Sequence, residues 1–153
     1  MGTVRQITDE IYQADIDFVR AKEYSGIGIT HIVGMTKDDG NVSDIPYLRI
    51  LKDDQEIVTM EETDQVIKFA LECLLAGGKL LIHCTAGKNR SGSIIVLIRA
   101  IVEGREFDDV AAEMHDKFMK ENPSHNWWPY EHLTIAYKDY LAQKYQYKQR
   151  IIS

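Results

Sequence analysis

Cys84 and Arg90, with five residues between them, lie in the run Leu80-Leu81-Ile82-His83-Cys84-Thr85-Ala86-Gly87-Lys88-Asn89-Arg90-Ser91-Gly92. Their types and spacing suit covalent handling of a phosphate group. A cysteine thiolate is a strong nucleophile. Arginine offers a planar fork that grips two phosphate oxygens at once, which lysine does not reproduce. Leu80 to Ile82, led in by Gly77-Gly78, read as a short buried strand, and Ser93 to Val102 as a β-branched, leucine-rich helix. The loop between them then ends at a helix N-terminus, where free N–H groups and the positive end of the dipole converge. An anion belongs there. The same field favours a thiolate over a thiol, so Cys84 becomes a nucleophile without a separate base.

Each loop residue also has an ordinary role to set against the chemical one. A lone cysteine is most often a small buried hydrophobe. Arg90 alone would be a solvated first-turn arginine, but a cation at a helix N-terminus opposes the dipole unless an anion joins it. Gly87 supplies positive φ inside the turn or is a plain loop glycine. Ser91 either caps the helix or hydrogen-bonds the Cys84 sulfur and stabilises the thiolate as it leaves a phosphoenzyme; both can hold. His83 reads as a residue that orders the loop through hydrogen bonds to backbone groups, close to a satisfied core histidine. Lys88 adds local positive charge or is simply exposed. Backbone N–H groups of Thr85, Ala86, Gly87, Lys88, Asn89 and Arg90 form the expected phosphate cradle.

The elements that must position these residues follow an α/β order. Ile11 to Ala14 and His31 to Met35 read as strands around a helical segment containing Phe18, Val19, Ala21 and Tyr24, and Tyr47 to Leu51 as a further strand. Thr59 followed by Glu62 is a capping box for a helix through Leu75, which Gly77-Gly78 ends. Glu106 to Glu121 reads as a helix closed near Pro123, and Pro129 to Tyr145 as the last. A single domain over residues 1–153, with a central, mostly parallel sheet flanked by helices on both sides, fits this order. Trp127-Trp128 invite a recognition role, but at least one is expected to anchor the last helix in the core. Tyr137, Tyr140, Tyr145 and Tyr147 read as packing residues rather than modification sites. Cys73, on the helix before the nucleophile strand, is expected to be buried, with a protective disulfide to Cys84 as the alternative.

Composition narrows the field. At 153 residues and 44% hydrophobic content the chain suits one ordinary domain. No run approaches the roughly 18 apolar residues of a membrane span. The opening Met1-Gly2-Thr3-Val4-Arg5 lacks the apolar core of a secretory signal, and Gln6 stands where a myristoylation pattern needs Ser or Thr. An intracellular, reducing, cytoplasmic setting is expected, with two cysteines and no disulfide framework. The scattered histidines and cysteines lack zinc-ligand spacing, so no metal and no cofactor are expected. A net charge of −6 argues against general nucleic-acid binding and disfavours substrates with highly acidic surroundings. Lys144, Lys148 and Arg150 near the end read as a helix terminus matched to its dipole.

His83-Cys84, five residues, then Arg90-Ser91 resembles the signature of the cysteine-dependent protein tyrosine phosphatase superfamily. Ala86-Gly87 and Asn89-Arg90-Ser91-Gly92 are similar to the poxviral and cellular members of its small dual-specificity branch. So are Ile11-Tyr12-Gln13-Ala14, Gly28-Ile29-Thr30-His31-Ile32-Val33 and Tyr47-Leu48-Arg49-Ile50, and the resemblance covers nearly the whole chain. It implies a dual-specificity phosphatase-like fold and an acid loop after the Tyr47 strand, with the catalytic aspartate seven residues beyond that tyrosine, at Asp54. Asp53 is the competitor, since one gap exchanges them; the run Lys52-Asp53-Asp54-Gln55-Glu56 would otherwise be a solvated loop.

The implied chemistry has Cys84 attack phosphorus, Arg90 and the loop N–H groups hold the equatorial oxygens, Asp54 act first as acid and then as base, and Ser91 ease the thiolate's departure. Phosphorylated protein substrates are the implied partners. The chain shows no resemblance to the tyrosine-recognition loop of the larger members, so a shallow pocket open to phosphoserine, phosphothreonine and phosphotyrosine is expected. Related loops also act on phosphoinositides or RNA 5′-phosphates. Lipid-directed members carry more loop lysines than Lys88 alone; RNA-directed members have His and Phe or Val where Ala86 and Lys88 stand. A phosphoprotein-binding module without turnover is the remaining alternative, and the retention of Cys84, Arg90, Ser91 and an acid candidate argues against it.

Overall fold

The computed structural model describes residues 2–86, 88–124 and 126–145; Gly87 of the expected cradle, and Tyr147, Lys148 and Arg150, lie outside them. Five strands form one sheet: β1 (Val4–Gln6), β2 (Ile11–Ala14), β3 (His31–Gly34), β4 (Tyr47–Arg49) and β5 (Leu80–His83), in the order β1-β2-β5-β3-β4. Strands β2, β5, β3 and β4 run parallel, and β1 is antiparallel to β2. Parallel strands end on one edge, so the loops leaving β4 and β5 emerge side by side with only β3 between them. Two strand spacings are about 10 Å, a gap that an arginine and an aspartate can close from either side.

Strand β5 is central and every residue of it is buried. That matches its near-continuous apolar run, as expected of a parallel strand covered on both faces. One face carries the small cluster of Phe18, Val19, Tyr24 and Ile29 against Tyr12, Ile32 and Leu81. The other carries the main core, built on helices α2 (Met60–Leu75), α3 (Asn89–Glu103), α4 (Phe107–Glu121) and α5 (Glu131–Lys144). Helix α3 is buried continuously from Arg90 to Ala100, so the rest of the molecule surrounds it, and its buried polar residues are Arg90, Ser91, Ser93 and Arg99. Its Ile94, Ile95, Val96 and Ile98 are β-branched and only moderate helix formers. Their burial, about 1.5–3 kcal/mol for each fully buried side chain, is what holds that segment helical. Among the described residues no helix is long and apolar enough to cross a membrane.

Several expectations shift at their edges. The segment holding Phe18 to Tyr24 is two pieces, α1 (Ile16–Arg20) and a 3-10 turn over Glu23–Ile27, because Lys22 takes a left-handed conformation at φ 57° between them. The capping box at Thr59 and Glu62 is present, and Gly77, at φ 75°, turns the chain away after α2. Helix α3 starts at Asn89 rather than Ser93, taking in Gly92. Strand β1 was not legible: three residues, mostly exposed, carry no apolar pattern. Trp127 is buried in the main core that also holds Leu133, Tyr137 and Tyr140 of α5, and it packs edge-on against Phe118 of α4, with ring centres 4.9 Å apart. Trp128 is half exposed and stacks on His115. Tyr137 and Tyr140 are buried packing residues, and Lys144 sits in the last turn of α5.

Cys73 is fully buried and faces Thr30 and Gly78 at the start of β5. Cys84 follows the strand's other end. With about 3.3 Å of rise per residue, β5 holds the two sulfurs well over 10 Å apart, far beyond disulfide reach. The alternative of a protective bridge between them is therefore corrected to burial alone.

Candidate active site

Cys84 leaves β5 into the phosphate loop and is 2% exposed. Its Sγ lies 3.3 Å from the Ser91 Oγ, one turn into α3. No side chain caps that helix, so Ser91 is not the cap: its hydroxyl is engaged with Cys84 and with Gln13 Nε2, 2.9 Å away. The N–H groups of Thr85, Ala86 and Lys88 find no acceptor among the described residues. Two of the loop's carbonyls are tied back. The Thr85 oxygen accepts from Ile16 N–H at 3.2 Å. The Lys88 oxygen accepts from Gln13 Nε2 at 2.8 Å, Gly92 N–H at 3.0 Å and Trp127 Nε1 at 3.2 Å. Turning carbonyls into the protein leaves donors for an anion, which is how a backbone cradle is built.

Arg90 is 8% exposed, and its guanidinium is held by the loop that leaves β4. The Lys52 carbonyl accepts from Nη1 at 2.6 Å, and the Asp54 carboxylate lies 2.6 Å from Nε. That second contact is an ion pair rather than an aligned hydrogen bond, since Nε makes none. The anion that offsets a cation at this helix N-terminus is the protein's own. Asp53, one residue away, turns outward to Lys37 Nζ at 3.1 Å. The Lys52 ammonium pairs with Glu62 at 3.1 Å, so the acid loop is tethered to the capping box of α2. Tyr130 stands at the mouth, where its hydroxyl accepts from Asn89 at 3.0 Å. Burial, and to a lesser extent the Asp54 charge, push its phenol up.

His83 is fully buried at the end of β5. A backbone carbonyl can only accept, so Nδ1–H donates to the Cys84 oxygen at 3.3 Å. Nε2 then accepts from the Tyr47 hydroxyl at 2.8 Å, which itself accepts from Gly40 N–H at 3.1 Å. Gly34 and Gly40 make room for this pair: a Cβ on either would lie 2.9 Å from the Tyr47 oxygen. Burial holds the imidazole well below its ordinary value, at about 4.

Next to the loop, Asp38 accepts from Thr85 Oγ1 at 2.5 Å, and Thr36 Oγ1 meets the same threonine hydroxyl at 2.8 Å. The Thr85 hydrogen bond, with Arg20 and Arg90 nearby, holds the Asp38 carboxyl below the usual range. Two clefts of about 420 and 320 Å³ open beside the loop and share Arg5 and Lys88.

Residues 11–98 match the family model described as the catalytic domain of dual specificity phosphatase. The chain belongs to this family. It is 34% identical over 99 residues to dual specificity protein phosphatase 15 of Homo sapiens, an alignment over 61% of this chain and 34% of that protein. It spans less than half the length of the curated relatives it matches. The crystal structure of DUSP15 is similar to it at a TM-score of 0.73 and 26% identity, covering 96% of this chain and 92% of that one. The human tyrosine phosphatase-like serine/threonine/tyrosine-interacting protein shares the fold at a TM-score of 0.76 and 19% identity, covering 92% and 96% of the two chains.

In this dual specificity phosphatase domain, then, Cys84, Arg90, Ser91 and Asp54 converge although two separate loops carry them, and Thr85, Ala86, Lys88 and Asn89 line the same turn. Gln13, Tyr130 and Asp38 were missed, while Trp127 was weighed only as a recognition or core residue and Tyr47 only as part of the resemblance. Gln13 carried a signal as a polar residue within an apolar strand; Tyr130 and Asp38 reach the loop through tertiary packing alone.

The buried His83 sets a pH response. Above about pH 6.5 the ring is neutral in both folded and unfolded chains and contributes nothing. Between about 6.5 and 4 the unfolded chain takes up a proton that the folded one refuses, so stability falls, by about 3 kcal/mol once pH is below both values. NMR of the ring is expected to show a neutral Nδ1–H tautomer down to pH 5. A titration midpoint above pH 6 would overturn this account.

Proposed function

We propose that this chain is a cysteine-dependent phosphatase that hydrolyses phosphomonoesters of protein tyrosine and of serine or threonine through a cysteinyl-phosphate intermediate. The observation that carries the reading is the convergence of three groups: the Cys84 sulfur with Ser91 at 3.3 Å, the buried Arg90 fork, and the Asp54 carboxylate at 2.6 Å from that fork. An incoming phosphate monoester would displace Asp54 from Arg90 and occupy the loop N–H groups. Cys84 then attacks phosphorus, the S–P bond forms, and the bond to the leaving oxygen breaks as Asp54 delivers its proton there. Water attacks the phosphocysteine, Asp54 takes the water's proton, and the electron pair of the S–P bond returns to sulfur beside the Ser91 hydroxyl. Arg90 grips the equatorial oxygens throughout.

In this reading residues 1–153 act as one catalytic domain with phosphorylated proteins as partners. The two unbridged cysteines and the need for a thiolate support a reducing, cytoplasmic setting.

Phosphotyrosine and phosphothreonine peptides are both expected to be turned over. The test is a parallel panel of these peptides, phosphoinositides and 5′-triphosphorylated RNA, compared by kcat/KM. A preference of more than about a hundredfold for lipid or RNA, roughly 2.7 kcal/mol of transition-state discrimination, would overturn the protein-phosphatase reading. Binding without turnover in every class would leave a phosphate-recognition module.

A further inference from the structure

Gln13 is a buried glutamine in the middle of β2, 1% exposed, opposite Ile82 of the nucleophile strand. A buried amide is tolerated when its donors and acceptor are satisfied, and here all are. Nε2 donates to the Lys88 carbonyl at 2.8 Å and to Ser91 Oγ at 2.9 Å, and Oε1 accepts from Arg5 Nη1 at 3.1 Å. The chemistry of the partners sets the orientation of the amide. Flipped, it would face oxygen to a carbonyl oxygen and NH2 to a guanidinium, losing both contacts. Arg5 is itself placed by Glu121 at 3.2 Å and by stacking over the Phe118 ring at 4.2 Å.

A serine hydroxyl has one proton. Because Ser91 Oγ already accepts from Gln13, that proton is free for Cys84 Sγ, 3.3 Å away. Gly92 supports the arrangement from the helix side. A Cβ there would lie 2.7 Å from Trp127 Cζ2 and 3.2 Å from Gln13 Nε2. The backbone of α3 is thus left bare where Gln13 and Trp127 reach it.

We propose that Gln13 is a positioning residue that holds the Ser91 hydroxyl as a hydrogen-bond donor to the Cys84 sulfur, and holds the Lys88 carbonyl out of the phosphate cradle. It deepens the phosphatase reading and rests on it for the kinetic consequence. In the second half-reaction, as water attacks phosphorus and the S–P bond breaks, the electron pair returning to sulfur is met by the Ser91 O–H. No proton leaves Ser91. Without Gln13 the hydroxyl turns among several acceptors, and the thiolate loses a fixed donor.

The test compares wild type with Gln13→Leu, Gln13→Met, Ser91→Ala and the double variant Gln13→Leu/Ser91→Ala. The first reading needs no turnover: the pH dependence of Cys84 alkylation by iodoacetate. Its midpoint is expected to rise by about one pH unit in Gln13→Leu, and by no more in the double variant than in Ser91→Ala. The second is kinetic, at a pH above both midpoints. There kcat falls about tenfold, the scale of one hydrogen bond to a charged group, while kcat/KM for an activated aryl phosphate changes less than about threefold.

An unchanged alkylation midpoint in Gln13→Leu and Gln13→Met, or losses that simply add in the double variant, would overturn the proposal. So would failure of both Gln13 variants to fold, which would make the residue structural. If wild type hydrolyses no phosphomonoester, the phosphatase reading falls, while the alkylation series still decides the link from Gln13 through Ser91 to Cys84.

Discussion

Turnover of an aryl phosphate by Cys84→Ser is expected to fall on the order of 10⁴-fold or more, the scale on which an enzyme loses its covalent nucleophile. Phosphate or vanadate binding should persist, because the hydroxyl leaves the loop N–H groups and Arg90 in place. The size of the effect follows from chemistry rather than packing. Serine is nearly isosteric with cysteine, and in a site 2% exposed it adds no bulk. A serine hydroxyl, however, is a far weaker acid and a far poorer nucleophile than a thiol, and among the described residues the side chain hydrogen-bonded at this position is the Ser91 hydroxyl rather than a base. The neighbouring Ser91 is placed to donate to an anion, not to act as a base. Steady-state assay with and without a chelator, alongside vanadate titration, checks this. Turnover within about tenfold of wild type would exclude a cysteinyl-phosphate.

Asp54→Asn should lower kcat on the order of 10²-fold or more, within the range of general acid–base catalysis, while Asp53→Asn changes it less than about twofold. The two carboxylates are neighbours in the chain, but they serve different surfaces. Asp54 reaches the Arg90 fork, whereas Asp53 pairs with the exposed Lys37, an ion pair of little energetic consequence. The loss at Asp54 should be largest for alkyl phosphates and smallest for activated aryl phosphates, whose leaving groups need no proton. The high-pH limb of the rate profile, which reports the protonated acid, should flatten in Asp54→Asn alone. Equal losses in the two variants, or a larger loss at Asp53, would reverse the assignment.

The sequence by itself determined the chemistry and the outline of the fold. A cysteine and an arginine with five residues between them, between an apolar strand and a β-branched helix, are local facts, and the strand-loop-helix unit that unites them is local too. The capping box at Thr59 and Glu62 was readable for the same reason, since its hydrogen bonds span only three residues. What lies far apart in the chain was decided by tertiary structure. Asp54 was separated from Asp53 in sequence only by resemblance. In three dimensions they part because β4 and β5 are parallel with β3 between them, so one loop's carboxylate faces the other loop's arginine. The start of α3 moved from Ser93 to Asn89 because Gly92, which reads as a loop residue, is inside the helix where Trp127 and Gln13 need its bare backbone. Gln13 itself showed only as a polar residue in a strand. Its amide acquires meaning when β2 lies beside β5, because a buried donor must find acceptors, and those it finds belong to the phosphate loop some 75 residues later.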